Sequence, residues 1–355
     1  MPETLKPSQN GISAPSSAAL AQQYGGSHTG SWVTTLPVSW IPYVQLARLS
    51  PPAGLFLIYF PHFFGAVLGA TVTRASLTTA ARAALFLLAG SFFLSNAAHT
   101  WNDIVDEPID RAVARTRKRP IARGAVSRRA ALLFAVSQAA GALAVLFAFF
   151  PPGAVWFALP NIFAITYYPW AKRHTHFAQV VLGVCLAWGV FMGSVALGHE
   201  PFTWGYLRLA VSQGGPDVGY ATAYVDLGTV SLFIACVLWT TIYDSVYAHQ
   251  DVEDDMKLGM KSMAVLLRGY IKPALGLLLA GMLCSLAFCG SHFGFGLLYY
   301  VLSMTGSSVV LGAMVLRVDL ENSANCWWWF KHGFWEVGWS IAIGLLTQYV
   351  PSLPH

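Results

Sequence analysis

ARAALFLLAGSFFLSNAAHTWNDIVDEPID, residues 81–110, joins an apolar run to four carboxylates and an amide. About twenty apolar residues cross a hydrocarbon core as an α-helix, and residues 81–101 meet that length. NDIVDEPID then sets Asn102, Asp106 and Asp110 four residues apart. If the helix continues, all three lie along one face. Carboxylates gathered on one face at the end of an apolar helix need a cation.

A second stretch, YDSVYAHQDVEDD at residues 243–255, also follows an apolar run. Nine of the sixteen acidic residues lie in these two clusters, a concentration that solvated loop charge does not produce. With 55% hydrophobic and 10% charged residues, the chain is too apolar for a soluble domain, in which roughly a quarter would be charged. Apolar windows predict spans at 52–72, 81–101, 128–149, 152–170, 177–198, 226–247, 271–290, 295–316 and 335–350. The expectation is an all-α, polytopic integral membrane protein of nine helices. Residues 37–355 form its membrane domain, entered through an interfacial segment at 36–50. Residues 1–36, rich in Ser, Gly, Gln and Ala, are expected to be a disordered tail. That tail lacks the Arg-rich amphipathic pattern of an organelle presequence, which favours endomembrane over mitochondrial placement.

Basic residues orient the helices. With the N-terminus cytoplasmic and nine spans, eighteen of the twenty-one Lys and Arg residues fall on the cytoplasmic side, leaving Arg74, Arg82 and Arg208 opposite. Both acidic clusters then face the cytosol, as a shared site requires. The net charge of +5 forms no basic stripe free of acidic residues, so a nucleic-acid partner is excluded. No protein partner can be read. The five cysteines show no zinc-ligand spacing and read as buried apolar residues. Trp327, Trp328, Trp329 and Trp335 read as an interfacial aromatic belt, and the 199–225 loop carries no functional reading.

Cations between the clusters point to phosphate. RAVARTRKRPIARG follows Asp110, and YYPWAKR supplies Lys172 and Arg173. Arginine suits bidentate phosphate contacts, and Mg²⁺ is held by a few carboxylates together with substrate phosphate oxygens. Carboxylates, metal, diphosphate and cations make a neutralised set. Arg117, Lys118, Arg128 and Arg129 read as topogenic residues facing lipid headgroups. His62 and His99 in apolar spans, and His249 inside the second cluster, read as structural.

Asn102 through Pro120, as N-D-x-x-D-x-x-x-D-x-x-V-x-R-T-x-x-R-P, resembles the first signature of the UbiA-type membrane prenyltransferases. The second signature resembles D-x-x-Y-A-x-Q-D-x-x-D-D-x-x-x-G-x-x-S, here Asp244, Tyr247, Ala248, Gln250, Asp251, Asp254, Asp255, Gly259 and Ser262. The likeness runs from about residue 40 to the C-terminus. YAHQDVEDD is similar to the 4-hydroxybenzoate polyprenyltransferase branch, and the chain is similar to the fungal meroterpenoid prenyltransferases.

The resemblance implies nine helices around a central cavity, with Mg²⁺ holding an allylic isoprenoid diphosphate, farnesyl being the expected donor, for transfer to a ring carbon of an aromatic acceptor. Asn102, Asp106 and Asp110 would hold one metal, and Asp251 and Asp255 the other, with Asp103, Asp244 and Asp254 as catalytic neighbours. Arg48, Arg115, Arg119, Tyr168, Lys172 and Gln250 would contact diphosphate or acceptor. The prenyl tail would leave sideways into membrane lipid. Two alternatives stand beside this one: ubiquinone-pathway prenylation of 4-hydroxybenzoate, and a cation-coupled transporter, which would place its acids near mid-membrane.

Overall fold

The structure is a computed structural model that describes residues 31–202 and 224–350. In chain order its main helices are α1 (Ile41–Leu46), α2 (Ala53–Thr73), α3 (Leu77–Asp110), α4 (Arg128–Phe149), α5 (Ala154–Tyr167) and α6 (Ala178–Ala196). They continue with α7 (Leu227–Lys257), α8 (Ile271–Phe293), α9 (Leu297–Arg317) and α10 (Ser323–Tyr349). Seven of these, all but α1, α5 and α10, are long and apolar enough to cross a membrane. The expected nine is not reached on that measure. The segment expected at 152–170 is a helix of 14 residues carried on by a 3₁₀ turn at Tyr168–Trp170. The segment expected at 335–350 begins already at Ser323, and its first half carries Lys331, His332 and Glu336.

Most of the tail expected to lack structure lies outside the described residues. Its last part does not behave as expected, because Ser31–Thr35 forms a 3₁₀ turn in which Val33 is buried. Most of the 199–225 loop also lies outside them.

Helix α3 decides how the site is placed. Ser76 caps its start by accepting from Thr79 N at 3.3 Å. It then runs for 34 residues without a break through NDIVDEPID. At 1.5 Å per residue it is roughly 50 Å long, well beyond a hydrocarbon core of about 30 Å. Its last turns therefore carry the acidic residues past the apolar layer. Helix α4 packs along α3 and is tied to it by Asn96 Nδ2 donating to Gln138 Oε1 at 2.9 Å.

Helix α7 is central, packed between α6, α8 and α10. Around it Phe60, Phe64, Trp239 and Phe334 form an aromatic cluster, and Trp239 Nε1 donates to Gly333 O at 2.8 Å. The Trp belt expected near residue 328 is only partly one. Trp328 is exposed, but Trp329 is buried, Trp335 packs on Phe56 and Phe60, and Trp327 stacks on Phe330. Helix α10 turns these rings inward against α2 and α7, a tertiary contact that local composition does not reveal.

At the end of the bundle opposite the acidic clusters, buried Asp226 caps α7 by accepting from Gly228 N at 3.1 Å and from Thr229 Oγ1 at 2.6 Å. It also pairs with His199 Nε2 at 2.7 Å and His292 Nε2 at 3.0 Å, joining α6, α7 and α8. Asp226→Ala should lower stability by about 2–3 kcal/mol, read as thermal unfolding of purified protein in detergent. Asp226→Asn, which keeps a capping oxygen, should lose less. An unchanged melting temperature in Asp226→Ala would refute the joint.

Candidate active site

A cavity of about 270 Å³ opens between the ends of α3 and α7 that carry the two acidic clusters. Asn102, Asp106 and Asp110 from α3 line one wall, and Asp244, Asp251 and Asp255 from α7 the other. Arg48, Arg115, Arg119, Tyr168 and Lys172 complete the rim. The spacing of four explains the first wall: successive turns of one helix present three side-chain oxygens in a row, and Asn102 Nδ2 donates to Asp106 Oδ2 at 3.1 Å. All of these acids except Asp244, which lies seven residues deeper in α7 than Asp251, gather at one end of the two helices, which disfavours a transporter's ion path.

The loops after α3, α5 and α7 hold the cations over this mouth. Arg115 donates Nε to Asp251 Oδ1 and Nη1 to Tyr247 O–H, both at 2.8 Å. Ala114 N donates to Asp254 Oδ2 at 3.4 Å, joining the same two loops. Lys261 N donates to Lys172 O at 2.8 Å, which brings Lys172 Nζ to 3.6 Å from Asp255. Arg119 lies 3.2 Å from Asp103 and 3.0 Å from Asp110, and Arg173 lies 3.6 Å from Asp106. Asp244 has no hydrogen bond or ion pair among the described residues.

Burial works against the charge on Lys172, but Asp255, Asp251, Asp244 and Asp106 outweigh it and hold its pKa above the usual lysine value. Burial likewise opposes the Arg115 charge and is outweighed by Tyr247 and Asp251, which raise its pKa. Both side chains are therefore cationic at any assay pH.

Arg48 has a left-handed backbone, φ 51°, unusual for a residue with a side chain. It lines the cavity and reaches Asp103 Oδ1 at 3.2 Å.

Three expected site residues stand apart from the cavity lining. Asp103 is fully buried beneath Arg48 and Arg119, so it positions two cations and does not face a ligand. It follows Asn102 directly, and a helix turns neighbouring residues about 100° apart. Asp254 faces the Ala114 amide and Lys257 for the same reason. Gln250 sits in a 3₁₀ turn, where its amide donates to Tyr247 O at 3.1 Å and accepts from Ser323 Oγ at 3.4 Å.

Sequence reasoning left the aromatic wall unassigned. Tyr243, Tyr247, Trp327 and Phe330 line the cavity beside the acidic α7 wall. The four-residue step from Tyr243 to Tyr247 was the available signal; Trp327 and Phe330 arrive from a distant helix. His99 also lines the cavity, with Nδ1 held 2.8 Å from Ser95 O. His249 Nδ1 is likewise 2.8 Å from Ser245 O and lies outside it. Arg117, Lys118, Arg128 and Arg129 are exposed outside the cavity.

Comparison with known proteins gives the family and the fold. Residues 58–337 match the UbiA prenyltransferase family. The chain is 32% identical over 327 residues to a mitochondrial 4-hydroxybenzoate polyprenyltransferase of Saccharomyces cerevisiae, covering 91% of this chain and 80% of that one. It is 32% identical over 332 residues to the prenyltransferase stbC of Stachybotrys bisbyi, covering 91% of each. With the DMOA farnesyltransferase nvfB of Aspergillus novofumigatus it shares 34% over 280 residues, covering 78% and 81%. Among solved structures, the apo UbiA homolog from Aeropyrum pernix superposes with a TM-score of 0.65 at 23% identity, covering 81% and 97%. A UbiA homolog from Archaeoglobus fulgidus bound to DMAPP and Mg²⁺ gives 0.50 at 17%, covering 83% and 98%. A cavity walled by two acidic helix ends, in a bundle of this topology and over a match of this length, leaves one assignment: the chain belongs to the UbiA prenyltransferase family.

Proposed function

We propose that the protein transfers an allylic isoprenyl group, farnesyl in the first instance, from its diphosphate to a ring carbon of a phenolic or polyketide-derived aromatic acceptor. The observation that carries this reading is the cavity on which five carboxylates and one amide of α3 and α7 meet Arg115, Arg119 and Lys172. Carboxylate and amide oxygens suit a hard divalent ion and little else, so the donor set fits magnesium. Asn102, Asp106 and Asp110 would hold one ion, and Asp251 and Asp255 a second. Bound there, magnesium would offset the charge that develops on the departing diphosphate.

The chain's own residues do the rest. Arg115, Arg119 and Lys172, now paired with Asp251, Asp110 and Asp255, exchange those carboxylates for diphosphate oxygens and stabilise the leaving group. Tyr168 lines the same mouth and supplies a hydroxyl donor. The allylic C–O bond breaks with its electron pair going to diphosphate. A ring carbon attacks the allylic cation, and that carbon then loses its proton to restore aromaticity. Tyr243, Tyr247, Trp327 and Phe330 line the cavity as aromatic groups for cation–π contact, while Leu57, Ile58, Leu182 and Leu186 keep water away. Arg48, beside Asp103 at the rim, would take an acceptor carboxylate or phenolate.

The test is expression in microsomes with Mg²⁺, a series of allylic diphosphates and a panel of phenolic acids, with products identified by mass. A prenylated ring is expected, and the activity should sediment with endomembranes, its acidic cavity on the cytosolic face. Folded protein that prenylates no ring would refute the reading. The yeast relative favours a second one: long-chain transfer to 4-hydroxybenzoate in mitochondria, which the same panel and fractionation would reveal.

A further inference from the structure

Helix α10 joins the two ends of the bundle. At one end Ser323 Oγ donates to Gln250 Oε1 at 3.4 Å, beside the acidic mouth. At the other, Tyr349 O–H donates to Ala75 O at 2.9 Å and Gln348 Oε1 accepts from Gly296 N at 2.8 Å, in the turns before α3 and α9. Glu336 stands thirteen residues from each end of this helix, roughly 20 Å, and so at the depth of the apolar layer. Its neighbour Trp335 packs on Phe60, seven residues inside α2, which sets the same depth. The Glu336 side chain is nonetheless 51% exposed, and among the described residues its ion pair is with His332 of the same helix.

The outward stripe of α10 is unlike the rest of the lipid-facing surface. Trp328, His332, Glu336, Trp339 and Ile343 recur at steps of three and four and so share one face. Trp328, Glu336, Trp339 and Ile343 are all exposed. Lys331 is exposed at the edge of the stripe and has no ion pair among the described residues. The outer helices α4 and α8, by contrast, carry no acidic residue. A carboxylate that faces hydrocarbon is costly and rare, and such groups nearly always meet a polar partner. Lipid tails supply none, so another protein surface must.

We propose that this stripe of α10 seats a second copy of the chain, the two copies being related by a two-fold axis along the membrane normal. The charges choose this occupant. Copies inserted in the same sense present α10 in parallel, and in a parallel pair a residue on one flank reaches the residue five further along on the partner's opposite flank, as g and e positions do in coiled coils. Lys331 and Glu336 are five apart and opposite in charge. Helical geometry sets Lys331 about 100° to one side of His332 and Glu336 about 40° to the other, so they flank the stripe. Lys331 of each copy therefore meets the partner's Glu336, twice by symmetry, and the face is complementary to itself. Trp328 stands one turn before Lys331 and Trp339 one turn after Glu336, closing these pairs off from lipid. Trp327 and Phe330, on the inward side of α10, line the active-site cavity, so pairing does not block it. The inference does not rest on the transferase reading, because it concerns assembly alone.

Charge exchange tests it directly. Full-length protein is reconstituted in liposomes, and Förster transfer between donor- and acceptor-labelled copies is followed as lipid dilutes the protein. Lys331→Glu and Glu336→Lys each set like charges face to face and should weaken association at least about tenfold. The double variant, which exchanges the two charges, should return to within about threefold of the parent chain. Melting temperature in detergent shows that the variants fold. In native membranes, Ile343→Cys in a Cys284→Ser background should give a product of twice the chain mass on mild oxidation, whereas Leu277→Cys, exposed on α8, should not. A chain that stays monomeric at every dilution, single variants that associate like the parent, or a double variant no better than the singles would overturn the proposal. Cross-linking at Leu277→Cys but not at Ile343→Cys, or from Ile343→Cys to a polypeptide of another mass, would overturn it as well.

Discussion

Turnover is expected to fall by roughly 10²–10³-fold or more in Asp251→Asn, and by a similar factor in Asp106→Asn. The two carboxylates stand on opposite walls of one cavity, one on each acidic helix end. Asparagine keeps their shape but removes the charge and one acceptor oxygen, so the loss measures electrostatics and ligation and not packing. At Asp251 the substitution leaves Arg115 its hydrogen bond to Tyr247 O–H, so the guanidinium stays anchored. At Asp106 it leaves the neighbouring Asn102 a partner. Steady-state rates across a magnesium titration should show a lower maximum and a rightward shift in half-saturation. Asp254→Asn is the contrasting case: that residue braces Ala114 N from outside the cavity and should change turnover by less than about fivefold. Full activity in both Asp251→Asn and Asp106→Asn would remove these residues from metal binding.

The site was legible in the sequence to the extent that helical periodicity carries it. Asn102, Asp106 and Asp110 repeat at one helical turn, and the structure sets all three on one wall. Adjacent acids are where sequence reasoning fails. Asp103 and Asp254 sit beside cavity residues in the chain, but a step of one residue turns them away, so their kinship with the motif says nothing of their direction. Arg48 and Lys172 reach the mouth through loop contacts, Asp103 for one and the Lys261 amide for the other, and no spacing rule contains those contacts.

The fold divides in the same way. Continuous apolar runs such as α2 and α4 are plain in composition. Helix α10 is not, because its tryptophans look interfacial until Phe56 and Phe60 of α2 are set beside them.

Gly65→Ala and Gly193→Ala are each expected to cost at least about 3 kcal/mol, enough to lower the unfolding temperature by roughly 6–10 °C or to prevent folding. Helices α2 and α6 touch backbone to backbone at these residues. A Cβ on Gly65 would stand 1.9 Å from Val190 O, and one on Gly193 would stand 2.0 Å from His62 O and 2.6 Å from Ala66 N. No rotamer change can relieve a clash with main-chain atoms, so the helices must separate. Small residues permit such close approach where lipid removes the hydrophobic drive for helices to associate, and the packing lost on separation is most of what holds the pair. Gly276→Ala and Gly312→Ala are the controls: a Cβ there meets nothing within 4 Å, and alanine should stabilise those helices by about 0.5–1 kcal/mol. Yield of monodisperse protein in detergent and its melting temperature report both sets. Helix α2 supplies Gly54 and Ile58 to the active-site cavity, and α6 supplies Leu182 and Leu186. Parting α2 from α6 would therefore open that cavity's walls, whereas Asp251→Asn leaves a folded protein whose chemistry alone has failed.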